Sequence, residues 1–154
     1  MMDFDLSKIK VVFMDIGGVL LTNAWGQESR QQAAKVFGYD FEKMEILHNF
    51  IYNIYEIGSI SLDEYLDTTI FHSDRDFSRA EFKDFMYAQS QELPQMLQWV
   101  KSWKKRTDLP VFALSNENME LNAYRIHTFH LHKVFDGFFS SCYIGCRKPD
   151  PRIF

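Results

Sequence analysis

Three side chains in this sequence combine into a recognisable chemistry: Asp15, Ser115 and Lys148. Asp15 follows the apolar run Val11-Val12-Phe13-Met14 and opens into Ile16-Gly17-Gly18-Val19-Leu20. A carboxylate beside apolar β residues is costly unless something pairs with it, and adjacent glycines let backbone amides approach a ligand closely. A carboxylate can attack phosphorus, a hydroxyl and nearby amides can bind phosphoryl oxygens, and an ammonium can offset charge and orient the nucleophile. Together the three read as a phosphoryl-transfer site. Mg²⁺ held by carboxylate, carbonyl and water oxygens would supply the remaining positive charge.

The elements that position these residues follow from the hydrophobic pattern. Residues 9–14 read as a strand, since a continuous apolar run suits a parallel sheet covered by helices on both faces. Residues 23–89 turn helical, with Phe41, Met44, Leu47, Ile51, Ile54 and Tyr55 at three- and four-residue steps. Ser61-Leu62-Asp63-Glu64 and Ser78-Arg79-Ala80-Glu81 each match a capping box. Leu93, Leu97, Val100 and Trp103 or Lys104 outline a further helix, and Asp108-Leu109-Pro110 ends it before a second strand, Val111-Phe112-Ala113-Leu114. A helix over 119–129 and a third strand over 137–141 complete the order. Parallel sheets place ligands beyond the carboxyl ends of their strands, so Asp15 and Ser115 are expected to meet, with Lys148 following the third strand.

Composition narrows the classes. The 154 residues are 46% hydrophobic and 16% aromatic, which argues against disorder. A net charge of -4 gives no general field for nucleic acid or an anionic membrane; Lys101, Lys104, Lys105 and Arg106 suit a helix C-terminus instead. The acidic opening Met1-Met2-Asp3-Phe4-Asp5 does not read as a signal peptide, and no membrane span is expected from the apolar stretches. With Cys142 and Cys146 the only cysteines, a cytoplasmic protein with reduced thiols is expected. Both are read as small residues in and just after the third strand. His127, His130 and His132 fit no zinc spacing and read as helix-end and surface residues. The aromatic residues Trp25, Phe50, Tyr52 and Tyr55 are read mainly as helix-packing core, with a few facing the site. The competing role for Ser115 is a helix N-cap.

The segments Phe13-Met14-Asp15-Ile16-Gly17-Gly18-Val19-Leu20, Leu114-Ser115-Asn116 and Arg147-Lys148-Pro149-Asp150-Pro151-Arg152-Ile153-Phe154 resemble, in order, the first three motifs of the haloacid dehalogenase-like (HAD) hydrolase superfamily. Its sugar-phosphate phosphatases with a glycine two positions after the nucleophile are the most similar subgroup. The resemblance implies an α/β fold: a Rossmann-like three-layer core with a parallel sheet over 1–22 and 91–154, and an α-helical cap over 23–90. It implies Asp15 as nucleophile, passing through a phosphoaspartate, and as Mg²⁺ ligand beside the Gly17 carbonyl. Gly17, Gly18, Ser115, Asn116 and Lys148 would bind a small phosphorylated metabolite, with Ser115 and Lys148 also catalytic.

Two departures qualify that expectation. Most phosphatases of the superfamily carry a second aspartate at the position of Gly17, which protonates the leaving group and activates water; general acid–base help of this kind is worth about a hundredfold to ten-thousandfold. The family's fourth motif, an acidic pair completing the Mg²⁺ site, would follow Phe154, so the sequence reads as truncated with an incomplete sheet. The first strand would then have an open edge, available to a homo-oligomer. The alternatives are a catalytically inactive HAD-like binding protein and a haloacid dehalogenase using the same aspartate on carbon.

Overall fold

A computed structural model describes residues 8–154. Within them the chain runs β1 (Val12–Met14), α1 (Gln27–Phe37), α2 (Phe41–Glu56), α3 (Leu62–Thr69), α4 (Arg79–Ala88), α5 (Pro94–Lys104), β2 (Val111–Ser115), α6 (Met119–Thr128), β3 (Gly137–Ser140) and α7 (Ser141–Ile144). The architecture is α/β, as expected. The strands pair in parallel in the order β1-β2-β3. Their carboxyl ends therefore share one edge, from which Asp15, Asn116 and the segment after Ser140 emerge.

β1 is shorter than the predicted 9–14. Its ladder starts at Val12 paired with Val111, where the Val12 amide donates to the Pro110 carbonyl at 2.9 Å. The turn before Pro110 offers no partner strand to residues 9–11. Nor are both sheet faces covered among the described residues: Phe13 is 50% exposed and packs edge-on with Phe139, at 5.7 Å between ring centroids, on the open side. The core lies on the other side, where Ile16, Leu20, Leu97, Val100, Val111 and Val134 are fully or almost fully buried.

The helices between β1 and α5 form a second cluster around Met44, Tyr55, Leu62, Tyr65, Ile70 and Phe82. Both capping boxes form: the Ser61 amide donates to Glu64 at 2.8 Å and the Ser78 amide to Glu81 at 2.8 Å. Phe50 does not belong to this core. The buried stripe of α2 is Met44, Ile51 and Tyr55, and Phe50 is turned about 100° from Ile51. Cys142 lies in α7 and Cys146 in the loop beyond it, so neither is in β3, which ends at Ser140. Among the described residues no helix is long and apolar enough to cross a membrane.

The end of α2 docks on the segment after β3. The Ser141 hydroxyl donates to the Glu56 carbonyl at 2.6 Å, and Gly58 (φ 74°) approaches Cys142 so closely that a Cβ would sit 2.6 Å from its carbonyl oxygen. Gly58→Ala is expected to cost about 2–3 kcal/mol, from left-handed backbone strain and this clash. An unchanged urea midpoint for the variant would contradict the close approach.

Candidate active site

Asp15 stands at the carboxyl end of β1, where its Oδ1 accepts from the Ile16 amide at 2.8 Å. Ser115, the last residue of β2, donates its hydroxyl to the same oxygen at 2.8 Å. Lys148, in the loop beyond α7, donates from Nζ to Asp15 Oδ2 at 2.5 Å and to the Leu114 carbonyl at 3.0 Å. The three residues singled out from the sequence thus meet, although 100 and 133 positions separate Asp15 from its partners. Ser115 does not cap α6. That role falls to Asn118, whose side chain accepts from the Leu121 amide.

Asn116 lines a cavity with them, and its side chain has a structural task of its own. Its carboxamide donates to the Lys148 carbonyl at 3.0 Å and accepts from the Lys148 amide at 2.8 Å, pairing with the main chain as a neighbouring strand would. The side chain therefore fixes the loop that carries the ammonium. Gly18 adopts φ 71°, which only glycine takes without strain, and a Cβ there would meet Asn23 Oδ1 at 3.1 Å. Gly17 has no such backbone constraint.

Glu117 and Arg125 form a buried pair behind Ser115. Arg125 Nη1 donates to Glu117 Oε1 at 2.5 Å and Nη2 to the Thr22 carbonyl at 2.7 Å; Glu117 Oε1 lies 3.3 Å from the Ser115 hydroxyl. Burial pushes the Glu117 carboxyl above its ordinary range, and the Arg125 guanidinium opposes that shift.

Asp15, Gly17, Ser115, Asn116, Glu117, Arg125 and Lys148 line one side of that cavity, whose volume is about 350 Å³, and Gly18 lies outside its lining. Its far wall comes from the residue 25–56 region, including Trp25, Arg30, His48, Tyr52, Tyr55 and Glu56. Trp25 Nε1 donates to the Tyr65 hydroxyl at 3.0 Å, and that hydroxyl lies 2.8 Å from His48 Nδ1. Burial lowers the His48 pKa to about 4, so its ring is neutral at neutral pH. Tyr52 stacks on His48 at 5.2 Å.

The donor set for a hard cation is small. Among the described residues no three His, Cys, Asp or Glu side chains come together as a metal site. Asp15 and Gly17 both line the cavity, and a carboxylate with a backbone carbonyl is a set that Mg²⁺ accepts when waters and phosphate oxygens complete its shell. The residues present therefore fit Mg²⁺ as a site shared with a phosphorylated ligand.

A family model for haloacid dehalogenase-like hydrolases matches residues 9–154. The chain belongs to this family. A comparison with curated proteins found no match. Among solved structures, this HAD hydrolase is similar to a HAD family enzyme from Bacteroides thetaiotaomicron, at TM-score 0.76 and 21% identity, covering 95% of this chain and 75% of that one. The wild-type form of that enzyme in complex with magnesium and inorganic phosphate aligns at TM-score 0.73 and 21% identity, over 94% of this chain and 75% of that one. L-2-haloacid dehalogenase from Xanthobacter autotrophicus aligns at TM-score 0.58 and 18% identity, over 94% and 62%. At these identities the likeness carries the fold alone.

Sequence reasoning missed four participants: the Asn116 side chain in its clamp, Glu117, Arg125 and His48. Glu117 precedes Asn118, the N-cap of α6, while Arg125 lies in the last turn of α6, and a glutamate and an arginine eight positions apart look like solvated residues. Only their burial, at 4% and 2% exposure, marks them as a pair. His48 falls on the turn of α2 between the buried Met44 and Ile51, a position that the helical period does reveal.

Proposed function

We propose that this HAD hydrolase transfers a phosphoryl group from a small phosphate monoester to Asp15 and then to water. The observation that carries the reading is the set of groups on Asp15: one ammonium and one hydroxyl, both donors to oxygen, at the wall of a cavity. A dianionic phosphoryl group entering there meets the same two donors. The segment 23–90 would act as the cap over a core of 1–22 and 91–154.

Asp15 forms the bond to phosphorus as the ester P–O bond breaks. Lys148 and Ser115 hold the carboxylate in line beforehand and the phosphoryl oxygens afterwards. Asp15 and the Gly17 carbonyl would hold Mg²⁺, which supplies positive charge against the phosphoryl oxygens when bound. The departing alkoxide takes its proton from water, because Gly17 offers no acid. Water then adds at phosphorus, restoring the Asp15 carboxylate and releasing inorganic phosphate.

The missing acid makes a specific test. An aryl phosphate such as p-nitrophenyl phosphate has a leaving group that departs without a proton, so it is expected to turn over about a hundredfold or more faster than an alkyl phosphate. Mg²⁺-dependent phosphate release from the aryl ester, with no halide release from a haloacid, supports the reading. Halide release instead identifies a dehalogenase. Release of neither identifies a non-catalytic binding protein.

A further inference from the structure

The far wall of the cavity contains a hydrogen-bond relay whose direction is fixed by its first member. Trp25 Nε1 can only donate, so the Tyr65 oxygen accepts from it at 3.0 Å. Tyr65 is wholly buried, and its own hydroxyl proton needs an acceptor; His48 Nδ1, at 2.8 Å, is that acceptor. A neutral imidazole whose Nδ1 accepts carries its proton on Nε2. His48 therefore offers the cavity a single N–H donor, and stacking on Tyr52 holds the ring in place.

The charged residues of the same wall are already paired. Arg30 is bound at two points by Glu45, at 2.9 and 2.7 Å, and also donates to the Trp25 carbonyl at 2.8 Å. Glu56 accepts from Arg147 Nε at 2.5 Å. A second anionic group on a substrate would enter this end of the cavity against a carboxylate-neutralised arginine, with no unpaired cation offered by these residues. The volume of about 350 Å³ lies at the low end for ligand pockets and leaves room for only a small organic group beside the phosphoryl group.

We propose that this wall recognises a neutral, oxygen-bearing organic group, with His48 Nε2–H as the donor that binds a hydroxyl or carbonyl oxygen of the phosphate ester. The assignment rests on the phosphoryl-transfer reading and names its substrate class: small monophosphates of neutral polyols or hydroxycarbonyl compounds, not bisphosphates or phosphorylated acids. His48 is here a specificity residue. A neutral imidazole of this kind is too weak an acid to replace the one missing at position 17.

The test is a ratio of kcat/KM values measured on the full chain with glycerol phosphate, propyl phosphate and phosphoglycerate. Glycerol phosphate is expected to exceed propyl phosphate by about tenfold, the worth of one well-placed hydrogen bond, and to exceed phosphoglycerate by at least as much. His48→Phe is expected to bring the glycerol-to-propyl ratio close to one through KM, whereas His48→Gln, which keeps an N–H donor, retains most of it. The glutamine variant thus separates loss of the donor from loss of the fold. Phosphate release from all three esters with a ratio unchanged in His48→Phe overturns the assignment alone. Absence of phosphate release from every ester, p-nitrophenyl phosphate included, overturns the phosphoryl-transfer reading and the assignment with it.

Discussion

Asp15→Asn is expected to lower phosphate release by about 10⁴- to 10⁶-fold, the range seen when a nucleophile is removed, while leaving the chain folded. Asparagine keeps the shape and one oxygen, so the bonds from Ser115 and the Ile16 amide can persist. It cannot keep the bond from Lys148. The atom facing Nζ at 2.5 Å becomes an amide nitrogen, which is itself a donor, and the two donors repel. Lys148 then shifts from its place between Asp15 and the Leu114 carbonyl, so the variant loses both the attacking oxygen and the group that aligned it. The pair is 25% and 39% exposed at Lys148 and Asp15, so its loss costs stability little beyond about 1 kcal/mol. Steady-state rates with p-nitrophenyl phosphate, beside a thermal melt, separate the two effects. Retained turnover in a folded variant would contradict the role of Asp15.

Arg125→Met is expected to destabilise the chain by about 3–5 kcal/mol, because it leaves Glu117 buried without its cation. The side chains of both residues are 3% exposed, and the Thr22 carbonyl loses a donor in the same change. The effect depends on pH. Burial already holds the folded Glu117 pKa above its unfolded value of 4.5, and removing Arg125 raises it further. A raised carboxyl pKa contributes stability that is present below pH 4.5 and is lost as pH rises through the folded pKa. The defect in Arg125→Met should therefore be small in acid and grow towards neutrality. The double variant Glu117→Leu/Arg125→Met is expected to recover most of the loss, since a buried pair can be replaced by apolar groups at little net cost. Urea unfolding at two pH values checks both statements; a pH-independent defect with no recovery would show that the pair is not the cause.

The fold was legible from sequence where local signals agree with tertiary ones. The helix starts at Ser61 and Ser78 and the strand ending at Ser115 follow from capping and apolar patterning, because those are short-range interactions. The meeting of Asp15 with Ser115 was legible because a parallel sheet fixes where strand ends go. What stayed hidden depends on a partner far along the chain. The true length of β1 is set by Pro110, which no local pattern of residues 9–14 contains. The exposure of Phe13 depends on what covers the sheet, and apolar periodicity reports only the potential for burial. Asn116 shows the same limit at the site: nothing local announces that its carboxamide pairs with the loop carrying Lys148, 32 positions away.

The central claim is that Asp15 carries the phosphoryl group covalently, and the most direct measurement is peptide mapping by mass after acid quench of a reaction with p-nitrophenyl phosphate. Because Gly17 provides no base to activate water, loss of the phosphoryl group should be slow and the adduct should accumulate. The account predicts one phosphoryl group on the peptide containing Asp15, absent from Asp15→Asn. Phosphate release with no adduct on that peptide, or with the phosphoryl group on another residue, would contradict it.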